Sequence, residues 1–497
     1  PMEHVLRQCL LALRTAELLG LEDEQRSTTY YTALLVGVGC HTDAHEQAKW
    51  FGDDIAMKSH KYDHKMPSIA GMAQMIGMVG AGHQPLHRFR IGLELAVSGF
   101  RDLDGMIASH ARMASALARE VGLPIVVQDS VGSAYERWDG KGYPGVLKAG
   151  QIPIEARIAQ ISEFVEVAHR LGGADAVAQI CRERAGRQFD PEISQAIVTN
   201  AASLLDGVDE TTGWNAVIDA EPTLGVRLTS DEADRALVGV ADFIDLKTPY
   251  LLGHARAVGD LCSSAAMVLG MARPDVVLLR RAGWVHGFGR LGISNAIWDK
   301  PSSLAAGERE RVRLHPYLTE RMLQQSEWLS PLAAIAVQLR ERLDGSGYPR
   351  GLSGASISMP ARVLAAADVY QSMCEPRPYR PARTPAEAAR ELKAEVNARR
   401  LDGDAVAAVL TSAGHAVARR REYPAGLTSR EVDVLRLVAR GMSSRAIAER
   451  LVISPKTARN HIEHIYTKIG ASNRASASLF AVQAGLLPEN EQLAAES

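Results

Sequence analysis

The chain has 497 residues, of which 46% are hydrophobic, 23% charged and 5% aromatic, with 42 Gly and 22 Pro. These proportions exclude a collagen, a disordered chain and a membrane-embedded one, and the length suits about three domains. With a formal net charge of −2, the molecule as a whole is no polycation.

Five cysteines (Cys9, Cys40, Cys181, Cys262, Cys374) are widely spread and form no CxxC pair, so neither a disulfide framework nor a thiolate zinc site is indicated. No apolar run approaches the ~20 residues needed to cross a bilayer, and the N-terminus lacks the layout of a secretory signal. The expectation is a cytoplasmic protein that makes no use of a membrane. Pro1, ahead of Met2, reads as a residue left by tag removal.

Taken in order, the chain is built twice and then capped. The segment Glu136-Arg137-Trp138-Asp139-Gly140-Lys141-Gly142-Tyr143-Pro144 recurs as Glu341-Arg342-Leu343-Asp344-Gly345-Ser346-Gly347-Tyr348-Pro349, at an offset of 205. The same offset relates His110 to His315, Arg157 to Arg362 and Glu163 to Asp368. Upstream, an offset of 250 relates His4 to His254 and Val36 to His286, so the first copy carries 45 extra residues. Apolar spacing of three and four, as in Ala255, Val258, Leu261 and Cys262, predicts helices in both copies, and the Gly-rich Tyr-Pro segments must be loops. The first copy is placed at 2–218, with an insertion over about 37–109, and the second at 230–415.

Within the insertion, residues 41–87 hold six of the fifteen histidines (His41/His45, His60/His64, His83/His87) and Met57, Met66, Met72, Met75 and Met78. Histidines four apart share a helix face and can grip a metal or haem, but Pro85 and the surrounding charges favour a solvated surface. The methionines suit an adaptable core or a hydrophobic effector pocket.

A basic linker at 416–424 leads into a third segment, 425–487, followed by a tail at 488–497. Thr428 with Glu431 forms a capping-box pattern for a helix ending at Gly441. Ser443 or Ser444 starts a short second helix, and Ser454-Pro455 starts a third through about Ile469. Two helices joined by a tight turn suit the placement of the second in a DNA major groove. On the third helix Ala458, Ile462, Ile465 and Ile469 form the apolar stripe. Lys456, Arg459, Asn460 and Glu463 face away, joined by Thr457 and by Arg445 of the preceding helix as DNA contacts. Residues 425–487 hold nine basic and four acidic residues, a net +5 that leaves −7 on the remainder. That asymmetry fits a DNA-binding module on an acidic body.

The runs Leu427-Thr428-Ser429-Arg430-Glu431-Val432, Gly441 to Ala448 and Ile453 to His461 closely resemble the LuxR-type helix-turn-helix. The resemblance implies a four-helix DNA-binding module that pairs through its last helix, here about Ala475 to Ala484, onto inverted half-sites of double-stranded DNA. It further implies a homodimer, with RNA polymerase as a partner if the protein is an activator.

The Asp-Gly-x-Gly-Tyr-Pro loops, with Ala361 to Asp368 and Arg377 to Arg380 downstream, resemble the HD-GYP branch of the HD phosphohydrolases. That family is all-helical and hydrolyses phosphodiesters, cyclic di-GMP especially, with two or three metal ions. In the second copy His254, His286, His315 and Asp368 match family ligands. The expected bridging aspartate is Gly287, the paired histidines are Leu339 and Arg340, and the family lysine is Arg290. In the first copy Val36-Gly37 replaces the His-Asp pair, Ala134-Tyr135 the paired histidines and Glu163 the aspartate, leaving His4 and His110.

The expected fold is thus all-α, with two HD-like bundles in tandem and a C-terminal four-helix module. We read both copies as catalytically dead, with no catalytic residue assigned. Arg340 either pairs with Asp368 or, with Arg290, grips the phosphate of a small-molecule effector that is bound but not hydrolysed. A single divalent metal on the four residual ligands is a further option. The leading reading is a sequence-specific transcription regulator. Its alternatives are an active metal-dependent phosphodiesterase coupled to a DNA-binding domain, and a protein-binding scaffold.

Overall fold

The computed structural model describes residues 2–41, 44–51, 100–210, 213–222, 228–414, 424–451 and 453–487. Met57, Met66, Met72, Met75 and Met78 lie outside them, as do His60, His64, His83 and His87. The regular elements are helices, and β-pairing among the described residues is limited to isolated bridges. No described helix is long and apolar enough to cross a membrane. The chain packs as two units: 1–43 with 49–236, and 44–48 with 237–497.

In the first unit α1 (Met2–Leu18), α2 (Asp23–Leu35), α3 (Phe100–Glu120), α4 (Ile125–Gly132), α5 (Ile154–Arg184) and α6 (Pro191–Leu205) carry the bundle. Leu6, Leu11, Ile158, Ile161, Ile193 and Ile197 form its buried centre, where α1 lies along α5. Helix α5 breaks its geometry at Gly172 and Gly173, the two residues least able to hold a helix.

The second unit contains α7 (His254–Val268), α8 (Arg273–Val285), α9 (His315–Leu323), α10 (Ser330–Ala336), α11 (Met359–Cys374) and α12 (Gly403–Ala413). Val258, Cys262, Leu279, Leu332, Leu339 and Leu364 meet in one core. The same unit ends in the C-terminal module, α13 (Ser429–Ala439), α14 (Ser444–Leu451), α15 (Pro455–Ile469) and α16 (Arg474–Gln483). Its caps are those the sequence marks: Thr428 with Glu431 form a capping box, and Ser454 accepts from the Thr457 amide. Ser443, rather than Ser444, caps α14 through the Ala446 amide.

The repeated loop has one physical purpose in both copies. Glu136 is 2% exposed and accepts backbone N–H bonds from Gly145, Val146 and Leu147 at 2.8–3.1 Å. Glu341, also 2% exposed, accepts from Arg350 at 2.7 Å and Leu352 at 2.8 Å. A buried carboxylate thus satisfies the amides of a loop that no helix or sheet can satisfy. A Cβ at Gly142 would meet Arg137 N at 2.3 Å, and one at Gly347 would meet Arg342 N at 2.4 Å, so only glycine fits.

Candidate functional site

Four elements of the second unit converge on Asp368, which sits mid-way along α11 with no solvent exposure. His254 opens α7, His286 follows directly on α8, and Arg340 enters from the loop after α10. Asp368 Oδ1 lies 3.2 Å from His254 Nε2 and 3.4 Å from His286 Nε2. Its other oxygen, Oδ2, lies 3.1 Å from Arg340 Nη2, and Arg290 Nη2 stands 3.8 Å from Oδ1.

Three histidines present the same nitrogen to the centre, because each Nδ1 is committed elsewhere. His254 Nδ1 is held by Glu375 at 2.9 Å, His286 Nδ1 donates to Gly283 O at 2.6 Å, and His315 Nδ1 donates to Val312 O at 2.7 Å. At His286 and His315, fixing Nδ1 as donor leaves the Nε2 lone pair facing inward in the neutral ring, the tautomer that metal-bound histidines adopt, whereas His254 Nε2 is hydrogen-bonded to Asp368. His286 Nε2 and His315 Nε2 are buried and make no hydrogen bond.

The charges follow from this packing. Burial drives the Asp368 pKa upward, but Arg340 and then His254 outweigh it and hold the group well below the usual carboxylate range. His254 is depressed by burial and raised further by Glu375 and Asp368, ending above its ordinary value. His315 falls well below its ordinary value through burial and then through Arg340 and Arg290. Glu375 is carried down to about 2, burial being overcome by His254 and Arg377.

His254, His286 and Asp368 form a group able to hold a metal ion, the only such group among the described residues. The facing lone pair of His286 Nε2 and carboxylate Oδ1 is a contact of two acceptors, which a cation between them would relieve. The donor set therefore fits one divalent ion held by two imidazoles and a carboxylate. It does not fit a second, because Arg340 takes the remaining oxygen of Asp368 and Arg290 adds a further positive charge. His315 lies outside the group, although its Nε2 is also buried without a hydrogen-bond partner.

At the corresponding place in the first unit, Val36 is buried and its carbonyl accepts from the Tyr135 hydroxyl at 3.0 Å. His4 is paired with Glu166, which also takes Arg7 Nε at 2.9 Å. His110 is buried 6.2 Å from Tyr135, ring to ring. An apolar side chain and a tyrosine thus stand where ligands would be needed.

In the C-terminal module Lys456, Thr457, Arg459, Asn460 and Glu463 are exposed along one side of α15, with Ala458 and Ile465 buried on the other. Arg445 is exposed and touches Glu449 at 3.3 Å. Several of the other basic residues are structural. Lys468 pairs with Glu431 at 2.7 Å, Arg430 and Arg436 bond to Leu451 O and Leu486 O, and Arg474 bonds to Gly441 O and Met442 O. The sequence count of nine basic residues therefore overstates the charge free for DNA. Sequence reading missed Glu375 and gave Arg377 only as the start of the Arg377 to Arg380 run; that the two brace His254 is legible only once α11 is seen to end against that residue.

The HD domain family matches residues 101–193 and 239–405, just over half of the sequence, and this chain belongs to that family. Residues 425–481 match the bacterial regulatory proteins of the luxR family, so the module is a helix-turn-helix of that type. The chain is similar to 3'3'-cGAMP-specific phosphodiesterase 3 of Vibrio cholerae, 28% identical over 77% of this chain and 84% of that protein. It is 33% identical to 3'3'-cGAMP-specific phosphodiesterase 1 of the same organism, over 37% of this chain and 43% of that protein. A crystal structure of a V. cholerae cyclic GMP-AMP specific phosphodiesterase matches with a TM-score of 0.55 at 23% identity, covering 83% of this chain and 92% of the other. That likeness fixes the all-helical HD fold.

Proposed function

We propose that the protein is a sequence-specific DNA-binding transcription regulator whose two HD bundles no longer hydrolyse a phosphodiester and instead sense an effector or hold a dimer. The observation that carries the regulator reading is the exposed face of Lys456, Arg459, Asn460 and Glu463 on a luxR-family module. Lys456 and Arg445 supply phosphate contacts, while Arg459, Asn460 and Glu463 offer groups for base edges. A homodimer on an inverted repeat matches two copies of a small module that alone makes few contacts.

Loss of hydrolysis is supported by Arg340 on Asp368 Oδ2. When bound, one ion at His254, His286 and Asp368 supplies Lewis acidity and acidifies a ligated water. The chain's own residues then hold rather than cleave: Arg290 and Arg340 offer guanidinium donors to a phosphate oxygen, and His315, kept neutral, offers an acceptor. The effector class is a small phosphate-bearing molecule, and the Met-rich 57–78 stretch is the site proposed for any apolar one.

The alternative is an active metal-dependent phosphodiesterase joined to the same module. It is favoured by the names of the relatives and by a histidine and carboxylate group that fits one ion.

The test is selection from random duplex DNA with the full-length chain. Enrichment of one inverted-repeat sequence is expected, and recovery of no preferred sequence would reject the regulator reading.

A further inference from the structure

The segment Pro249–Gly253 has two faces, and each is occupied by a different functional part of the second unit. It begins with a short 3-10 turn, Pro249–Leu251, and runs directly into His254, whose helix is capped by Gly253 in a left-handed conformation at φ 77°. On its inner face, the Tyr250 hydroxyl donates to Trp298 O at 2.8 Å. Arg377 bonds to Tyr250 O at 3.4 Å, lies over the Tyr250 ring at 5.4 Å and pairs with Glu375 at 3.0 Å. Glu375 in turn holds His254 Nδ1. The segment is therefore tied to the His254, His286 and Asp368 group through two side chains, Arg377 and Glu375.

On its outer face the same segment carries the helix-turn-helix module. Leu252 packs against the module's core beside Leu487. Gly441, at φ 81° in the turn between α13 and α14, lies so close that a Cβ there would come within 2.9 Å of Pro249 Cβ. A Cβ at Gly253 would touch Leu487 Cδ1 at 3.9 Å. From inside the module, Arg474 pins the turn through Gly441 O and Met442 O.

We propose that Pro249–Gly253 is an intramolecular docking site that holds the DNA-binding module in a closed state, with the His254 site on its inner face as the control point. The inference rests on the reading of the module as DNA-binding.

The consequence of docking follows from which surfaces it leaves open. Lys456, Arg459, Asn460 and Glu463 are exposed, so a docked module can still touch one half-site. Helix α16, by contrast, is closed on both sides. Ala477 and Ala481 face the module core, while Leu479 and Val482, on the other side of the helix by their spacing, are 6% and 4% exposed. A second module has no open apolar face on α16 to pair with. Docking therefore permits single-site contact and opposes paired binding, and release favours the pair. Any occupant that shifts His254 relative to Glu375 alters the inner anchors of the segment and biases that equilibrium, because two sites that share a two-state element are coupled reciprocally.

The experiment compares the full-length wild type with Leu252→Ala, Leu252→Asp and Glu375→Gln. The duplexes carry either two inverted half-sites or one, both taken from the selected sequence, and hydrogen exchange is followed over 249–254 and 438–446. Leu252→Ala is expected to raise exchange in both segments and two-site affinity by about tenfold, with one-site affinity unchanged. Glu375→Gln, which breaks the link from the site, is expected to act in the same direction.

Faster exchange with unchanged two-site affinity would overturn the closed state. Unchanged exchange even in Leu252→Asp would show that the contact does not dock the module. A response to the Leu252 variants but not to Glu375→Gln would overturn the control point alone. If no form prefers any duplex, the DNA-binding reading falls first and the inference with it.

Discussion

Arg340 and Asp368 are joined at 3.1 Å through the carboxylate oxygen that does not face the two histidines. One residue thus has two electrostatic environments: Oδ1 is turned to His254 and His286, and Oδ2 is neutralised by a guanidinium. Arg340→Ala is expected to cost roughly 2–4 kcal/mol in urea unfolding, because a buried carboxylate loses its main partner. The same variant is expected to bind Mn2+ about tenfold more tightly, since removing a positive charge a few ångströms from the site lowers the cost of a cation there. Unchanged Mn2+ affinity would show that Arg340 does not oppose a metal.

The reading face of α15 separates two kinds of contact. Arg459→Ala and Asn460→Ala are expected to lose discrimination between the selected duplex and random DNA by about 1–3 kcal/mol each. Lys456→Ala and Arg445→Ala are expected to weaken binding to both duplexes alike and to flatten its salt dependence by about one unit each. Titrations at several salt concentrations distinguish the two patterns, and equal losses for all four variants would misplace the reading face.

Acid is expected to unfold the module through Glu431. Lys468 and the Thr428 amide lower its pKa from 4.5 to about 2 in the folded chain. A carboxyl whose folded pKa is depressed contributes stability that is fully present above its unfolded value and is lost as the pH falls from about 4.5 towards 2. Thermal unfolding followed across that range should show the loss in wild type and a flatter profile in Lys468→Met. The same slope in both would remove the pair as its cause.

The two loop glycines, Gly142 and Gly347, leave no room for a side chain. Gly347→Ala is expected to destabilise the second bundle by about 2 kcal/mol or more, because the added Cβ would sit against the Arg342 backbone. Chemical denaturation is the check, and a change within about 0.5 kcal/mol would mean that the loop yields easily.

Much of this molecule is legible in its sequence because its signals are local. Thr428 with Glu431 and Ser454 with Pro455 act within a helical turn, and the structure shows both caps. The internal repeat likewise foretells two loops of one type, each closed by its own buried glutamate. Glu375 was not legible, and Arg377 only as part of a motif run without its partner, since the bracing arises where the end of α11 meets His254, more than 100 residues earlier in the chain. Nor does the sequence show which basic residues of the module are spent internally, because Arg474 and Lys468 look the same as Arg459 until their partners are known. The contact of Gly441 with Pro249 joins residues with no shared pattern, so the docking of the module was invisible from spacing alone.

We propose that the second bundle keeps a place for at most one metal and no longer hydrolyses a phosphodiester. The most direct test of this proposal is a native mass spectrum of the full-length chain incubated with Mn2+ and a 3'3'-linked cyclic dinucleotide, with the nucleotide recovered and analysed. No more than one metal per chain and an intact cyclic dinucleotide are expected. Two or more metals per chain together with a linear product would contradict the proposal.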